Sequence, residues 1–509
     1  MKSRFRLTMT ALAAAALLAT ACGPGKESAE EPSKSDGGVT KSDLPDCPVD
    51  AFKKASGKTE VVFWHSHVGA TSAALGKIVD AYNASQDKVT VRLESQGVNY
   101  EELRRNFDQG FSAGQLPAIV SAEDTWTQYM IDNGKTLPAQ ACIEVDDDER
   151  AKIDDVLPGV VAGYSASGVQ WPAAFGASTV VLYFNTAQFE AAGLDPANPP
   201  KTFDELRVAA EKLKAIQGQP NGPAGEPLAM KLDPWYIENS LSANEQTLVN
   251  HDNGRDGNRA TESTLKNEST TAVLDWLAKM KQDGLLNAIP STSLIDHYVA
   301  VATGKSSMLL ETSTAATIID QVTSSEGGLK LSDVVDPETA EKFKAFDGFK
   351  VGFLVGVGEV PGIKVSGRGQ VGGAAFYMTN TGSPEVQSAA WDFLKYFNQT
   401  ENQVIWTREG SYLPVRQSTQ EALNADPTWE ASQRGKWITT AFDSMKALPA
   451  EFPGPLIGPY DKFRDSLRAM LEAIALGEPS AAVAAVEPAL DKANTEINDA
   501  LTKYNETTR

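Results

Sequence analysis

The sequence is short of cysteine, histidine and positive charge, and each shortage removes a class of function. Three cysteines and four histidines in 509 residues are too few for metal-spaced clusters, and neither HExxH nor GxSxG occurs. No metal, and no hydrolase built on those motifs, is therefore expected. Lys and Arg number 46 against 67 Asp and Glu, a net charge of −21. Nucleic-acid binding needs Lys and Arg to neutralise phosphates, so that class of partner is excluded too. No internal repeat is visible at solenoid periods. Gly367-x-Gly369-x-x-Gly372 matches a dinucleotide fingerprint in form only, because a strand at Gly373–Met378 follows it where a helix is required. The polar run His251–Gly257 fails as a calcium loop, with Gly254 and Ser263 where oxygen ligands should stand. No cofactor is expected.

The chain opens with Lys2, Arg4 and Arg6, an Ala/Leu run and small residues before Cys22. A basic start, an apolar stretch too short to span a bilayer and a small-residue cut describe an export signal. Residues 1–21 read as a lipoprotein signal peptide with Cys22 as the lipidated residue. Loss of its three cations takes the charge from −21 to −24. Residues 22–57 begin as a stretch of small and charged residues without aromatics, which cannot form a core and reads as a tether. With Cys22 lipidated, Cys47 and Cys142 remain, and in an exported protein such a pair is expected to be bridged. The roughly 450 residues that follow exceed one core, so two lobes are expected.

Pro172–Leu206 organises that remainder. A small-residue turn, Phe175-Gly176-Ala177-Ser178, precedes an apolar, β-branched strand at Thr179–Asn185. Pro199-Pro200 ends one helix, and Thr202 with Glu205 forms a capping box for the next, Phe203–Ile216. Upstream, Val61–Trp64, Val89–Leu93 and Ala118–Val120 read as strands. Between them lie helices, one with Leu75, Ile78, Val79 and Tyr82 inward, the other, Tyr100–Ala113, with Leu103, Phe107 and Phe111 inward. Such βαβαβ alternation predicts an α/β fold whose ligand lies beyond the carboxyl ends of parallel strands. Downstream, Val273–Leu286 and Leu294–Thr303 read as helices, Ser307–Leu310 as a strand, and Glu385–Asn398 as a strongly periodic helix closing the first lobe.

The F-x-x-S-T turn, the Leu182-Tyr183-x-Asn185 strand, Ala192–Pro196 and Pro199–Thr202 together resemble the crossover of bacterial extracellular solute-binding proteins of ABC importers. More narrowly, Phe63–Ser66, Asn99–Glu101, the Pro117–Glu123 stretch and Trp406 followed by Tyr412-Leu413-Pro414 resemble the glycerol-3-phosphate binding branch. The resemblance implies a two-lobed periplasmic-binding-protein fold of type II, maltose-binding-protein-like, hinged at crossover strands. Residues 58–178 and 311–396 would form lobe 1, and 179–310 with 397–509 lobe 2. It implies a monomeric, non-enzymatic receptor, lipid-anchored on the outer face of the cell membrane, whose partners are a small-molecule ligand and the permease's transmembrane subunits.

Carried over residue by residue, the resemblance places Tyr100, Glu123, Ser178, Gly372, Tyr412 and Arg464 around the ligand, with Thr312 and Ser313 opening a helix toward it. Trp235 starts a segment that lines the cleft in that family, where stacking on the ligand competes with core packing. For Tyr100 the competing reading is helix-entry packing, and for Glu123 a capping acid. His65 reads as a structural histidine. Glu311 departs from the pattern, since a carboxylate there repels phosphate unless it faces away. Arg464 shares a helical row with Leu467 and Leu471. An arginine leaning toward an apolar face needs an anion, either a ligand phosphate or a protein carboxylate. The ligand is thus a glycerol-3-phosphate-like ester or glycerophosphodiester, with a neutral sugar or oligosaccharide as the alternative.

Overall fold

The computed structural model describes residues 39–293, 295–323, 328–333, 337–342, 344, 355–359, 361–363 and 369–508. The expected signal peptide, Cys22, the first part of the expected tether, Leu294 and Gly367 lie outside the described residues. In chain order the strands are β1 (Thr59–His65), β2 (Val89–Ser95), β3 (Ile119–Glu123), β4 (Thr136–Leu137), β5 (Ser165–Ala166), β6 (Val169–Gln170), β7 (Ala174–Ser178), β8 (Val180–Asn185), β9 (Leu228–Lys231), β10 (Leu286–Ile289), β11 (Met308–Thr312), β12 (Val355–Glu359) and β13 (Gly372–Thr379).

Two sheets carry the molecule. The first runs β2-β1-β3-β13-β4, with β7 also on β13, and the second runs β10-β9-β11-β8-β12; β5 and β6 pair as a separate ribbon. β1, β2 and β3 are parallel, and β13 returns antiparallel to β3. β9, β10 and β11 are likewise parallel, with β8 antiparallel between β11 and β12. All six residues of β8 are buried, as a central strand covered on both faces requires.

The chain passes from one sheet to the other within a single residue. Ser178 pairs with Gly372 in the first sheet and Val180 with Thr312 in the second, which leaves Thr179 as the crossing point. Ser313, just past β11, clasps it: the Ser313 N–H donates to the Thr179 carbonyl at 2.8 Å, and Ser313 Oγ accepts from the Thr179 N–H at 3.2 Å.

Sequence pattern explains most of the local structure. The helix Phe203–Ala215 starts as its cap predicts, with Thr202 accepting from the Glu205 N–H. Glu205 reaches back one residue further than the box requires, to the Lys201 N–H at 2.7 Å. Cys47 and Cys142 are disulfide-bonded, and Phe52 is buried in the first lobe's core, so the end of the stretch expected to be a tether is packed on that lobe.

Several expectations need correction. Phe111 is exposed because the Trp64 ring lies against Gly110, so Leu103, Phe107 and Gly110 form the buried side of the helix Tyr100–Ala113. The helix expected at Val273–Leu286 is Glu268–Gln282, and Leu286 opens β10 after a left-handed turn at Gly284. β12, placed on sequence in lobe 1, pairs with β8 in the second sheet. The helix Thr400–Gly410, placed in lobe 2, packs on the first: Trp406 shares a core with Phe63 and Phe376, and Leu413 hydrogen-bonds to Ala177.

Candidate functional site

The carboxyl end of β3 delivers Glu123 and, directly after it, Asp124. From the second lobe the helix Tyr460–Ala475 points Arg464 back at them, its apolar row of Phe463, Leu467, Leu471 and Ile474 packed into that lobe's core. Arg464 Nη1 lies 3.2 Å from Glu123 Oε1, and Nη2 lies 3.1 Å from Asp124 Oδ2. Its inner edge is held by Glu238 on the helix Pro234–Ala243, with Nη2 to Oε2 at 2.9 Å and Nε to Oε1 at 3.1 Å.

Glu238 is fully buried and saturated with donors. Gln370 Nε2 donates to its Oε2 at 2.9 Å and the Tyr460 hydroxyl at 3.1 Å, while Ser242 donates to Gln370 Oε1. Arg464 thus sits among three carboxylates. Their charges outweigh the burial that would deprotonate it, and hold its pKa well above the ordinary arginine value. Burial pushes Asp124 up to about 7 against the pull of Arg464, and pushes Glu123 upward in the same way.

Around this pair stand the aromatic residues. Asn99 caps the helix Tyr100–Ala113 and so fixes its first residue. The Tyr100 hydroxyl lies 3.1 Å from that of Tyr412. Tyr412 stacks on Trp406 at 5.1 Å, over Gly176, and burial raises its hydroxyl to about 12. It follows Ser411, a helix cap at φ 65° where glycine is the favoured residue. Gly373, at φ 99°, lets β13 close on β7, since a Cβ there would lie 2.2 Å from the Gly176 carbonyl.

The remaining expected residues are placed differently from one another. Ser178 is buried opposite Gly372, and Trp235 lies over Gly372, where a Cβ would come 2.3 Å from its indole ring. The space beside Gly372 is thus filled by Trp235, and Trp235 also packs on the second lobe's core. Thr312 and Ser313 are engaged within the fold: Thr312 Oγ1 accepts from the Thr314 N–H, and Ser313 holds Thr179 through its N–H and Oγ. Glu311 faces away, with His297 Nε2 3.0 Å from its carboxylate. Burial would raise Glu311, but His297 and Lys231 outweigh it and hold the carboxyl below its usual value. His65 is buried and accepts from the His67 N–H, as a structural histidine should. Burial lowers its pKa to about 4.

Sequence reasoning missed Asp124, Glu238, Tyr460 and Gln370. Two signals were available. Glu238 is a lone carboxylate in the WYIENSLSA run, and Tyr460 lies four residues before Arg464 on the same helical row. Away from this cluster a second link crosses between the lobes. Asp132, the last residue of the helix Thr127–Asp132, receives Arg259 Nη1 at 2.6 Å and the Tyr504 hydroxyl at 2.8 Å.

Residues 77–434 match the family described as bacterial extracellular solute-binding protein. The sn-glycerol-3-phosphate-binding periplasmic protein UgpB of Brucella abortus (strain 2308) is 27% identical over 452 residues, spanning 87% of this chain and 94% of that one. The protein of the same name from Rhizobium meliloti (strain 1021) is 26% identical over 456 residues, spanning 88% and 96%. Among solved structures, UgpB from Mycobacterium tuberculosis in complex with glycerophosphocholine superposes with a TM-score of 0.65 at 18% identity, covering 88% of this chain and 99% of that one. The cyclic alpha-maltosyl-1,6-maltose binding protein from Arthrobacter globiformis gives 0.64 at 20% identity, covering 88% and 100%. The chain belongs to the bacterial extracellular solute-binding proteins and is built on their two-lobed, maltose-binding-protein-like α/β fold.

Proposed function

We propose that this chain is the lipid-anchored, monomeric receptor of an ABC importer, and that it captures glycerol-3-phosphate or a glycerophosphodiester between its lobes and hands it to the permease. The observation that carries the reading is Arg464, a guanidinium from the second lobe whose outer donors meet Glu123 and Asp124 of the first. A group at that seam can bind a ligand anion while its neighbours accept hydrogen bonds from glycerol hydroxyls. The names of the relatives support the same chemistry.

Closure follows from the hinge. Motion at Thr179, where the chain crosses between the sheets, separates Arg464 and Trp235 from Glu123, Tyr100, Tyr412 and Gly372. Contacts that span the ligand form only when the lobes meet, so the ligand favours the closed form by its differential affinity for it. Cys22, acylated at the outer face of the cell membrane, and the tether would keep the receptor near its permease.

A second reading, a neutral sugar or oligosaccharide, is favoured by the carboxylate excess around Arg464. Calorimetry of the mature protein with glycerol-3-phosphate, glycerophosphocholine and a small glycan panel, repeated on Arg464→Ala, separates the two. Phosphate esters are expected to bind and to lose most of their affinity in the variant; glycan binding indifferent to Arg464 would establish the second reading.

A further inference from the structure

The donors of Arg464 that face the first lobe are already taken. Of its five N–H groups, Nε–H and one on Nη2 go to Glu238, the other on Nη2 goes to Asp124, and one on Nη1 goes to Glu123. A phosphoester gripped by two parallel N–H groups needs the outer Nη1 and Nη2 pair; Asp124 stands on its Nη2 half, and Glu123 takes one of the two N–H groups of Nη1. With all groups ionised the cluster holds three carboxylates against one guanidinium, so an incoming anion adds charge to a buried site that is already negative.

Resting on the phosphoester reading above, we infer that Asp124 is a specificity-determining residue: it is an internal competitor for Arg464, which the ligand's anionic group displaces from Nη2, and the displaced carboxylate takes up a proton from solvent. The Asp124 carboxylate gains an O–H bond, and the solvent's buffer acid loses the proton that forms it; no other covalent bond changes. Asp124 is the member of the cluster suited to this. Its side chain is 10% exposed, and Arg464 is its one side-chain hydrogen-bond donor among the described residues. Glu123 is 29% exposed and also accepts from Thr125 Oγ1, and Glu238 keeps three donor residues.

Every group around Asp124 works in the same direction once Arg464 turns to the ligand. Glu123, its neighbour in the chain, and Glu238 across the seam are acidic. Tyr100, Tyr164, Tyr377, Tyr412 and Tyr460 all feel its charge and all have raised pKa values, so they stay neutral. Arg464 is the cation facing it. Asp124 is pushed up to about 7 even with that cation in place, and losing it moves the carboxyl higher still.

The consequence is a receptor that discriminates by ligand charge. A monoanionic or zwitterionic phosphodiester exchanges one negative charge for the one that Asp124 gives up, whereas a dianionic monoester leaves an excess.

The test is calorimetry with glycerophosphocholine, whose phosphodiester does not titrate near neutrality, at pH 8 in PIPES-free pairs of buffers with different protonation enthalpies, such as HEPES and Tris. The mature protein is expected to take up about one proton on binding, and its affinity to fall about tenfold per pH unit above pH 7. Asp124→Asn is expected to bind several-fold more tightly, with no proton uptake and a flat pH profile. Asp124→Ser, which also cannot ionise, carries the same expectation and serves if Asp124→Asn fails to fold. Binding of glycerophosphocholine without proton uptake overturns this inference and leaves the phosphoester reading standing. Uptake that persists in Asp124→Asn or Asp124→Ser overturns it as well. Failure of every phosphoester to bind either form, with a glycan binding instead, overturns the reading and this inference together.

Discussion

Arg464→Ala should cost stability in a pH-dependent way. The substitution leaves Glu238, fully buried, with hydroxyl and amide donors, and removes the cation that pairs with Asp124. Breaking a buried pair by deleting one partner costs about 3–5 kcal/mol, because the charge left behind is uncompensated. In a domain of about 200 residues each kcal/mol is worth about 2–4 °C, so the melting temperature should fall on the order of 10 °C at pH 8.

The sign of the pH effect follows from the raised carboxyl. Asp124 titrates near 3.8 when unfolded and near 7 when folded, so the folded form binds its proton more tightly. The stability this confers is complete below pH 4 and is lost as pH rises through about 7. Without Arg464 the folded value climbs further, and the loss extends to higher pH. The gap between wild type and variant should therefore be wide at pH 8 and narrow at pH 5. Calorimetric or denaturant unfolding of both forms across pH 5–8 measures it. A gap under about 1 kcal/mol at pH 8, well below the range for a broken buried pair, or one of equal size at both ends, would refute the argument that Arg464 is the counter-ion of a buried acidic cluster.

Three other outcomes can be checked. Cys47→Ser should remove about 2–5 kcal/mol of stability, since the bond closes a loop spanning 95 residues; unfolding of the variant beside reduced and oxidised wild type measures it. Gly372→Ala drives a methyl group into the Trp235 indole across the lobe seam, an overpacking of about 1–3 kcal/mol that falls on the closed form. Ligand affinity should drop about tenfold, and Trp235→Ala in the same chain should relieve the effect of the added methyl. Asp132→Asn weakens the link to Arg259 and Tyr504 by about 1.5–3 kcal/mol. It should lower affinity for every ligand by the same factor in calorimetry, because Asp132 lies outside the cluster around Arg464.

The legible part of this chain is what one element can say about itself. A β-branched run after small residues marks β8, a threonine three before a glutamate marks a helix start, and a glycine run followed by an apolar strand rules out a dinucleotide site. The helical row of Phe463, Leu467 and Leu471 likewise says that Arg464 leans inward. It does not say what waits there. Glu238 lies 226 residues away and Asp124 lies 340 away, and no periodicity links such distant positions. The same limit explains β12, whose few residues carry no mark of which sheet they join, and Phe111, whose outward turn depends on a tryptophan 47 positions earlier filling the space beneath Gly110. Arg464 was open on sequence to two readings, a ligand anion or a protein carboxylate. As folded it meets carboxylates, and a phosphoester can enter only by competing with one of them. On the phosphoester reading proposed above, the two become successive states of one group, with the acid beside it deciding how easily the protein carboxylate gives way to the ligand.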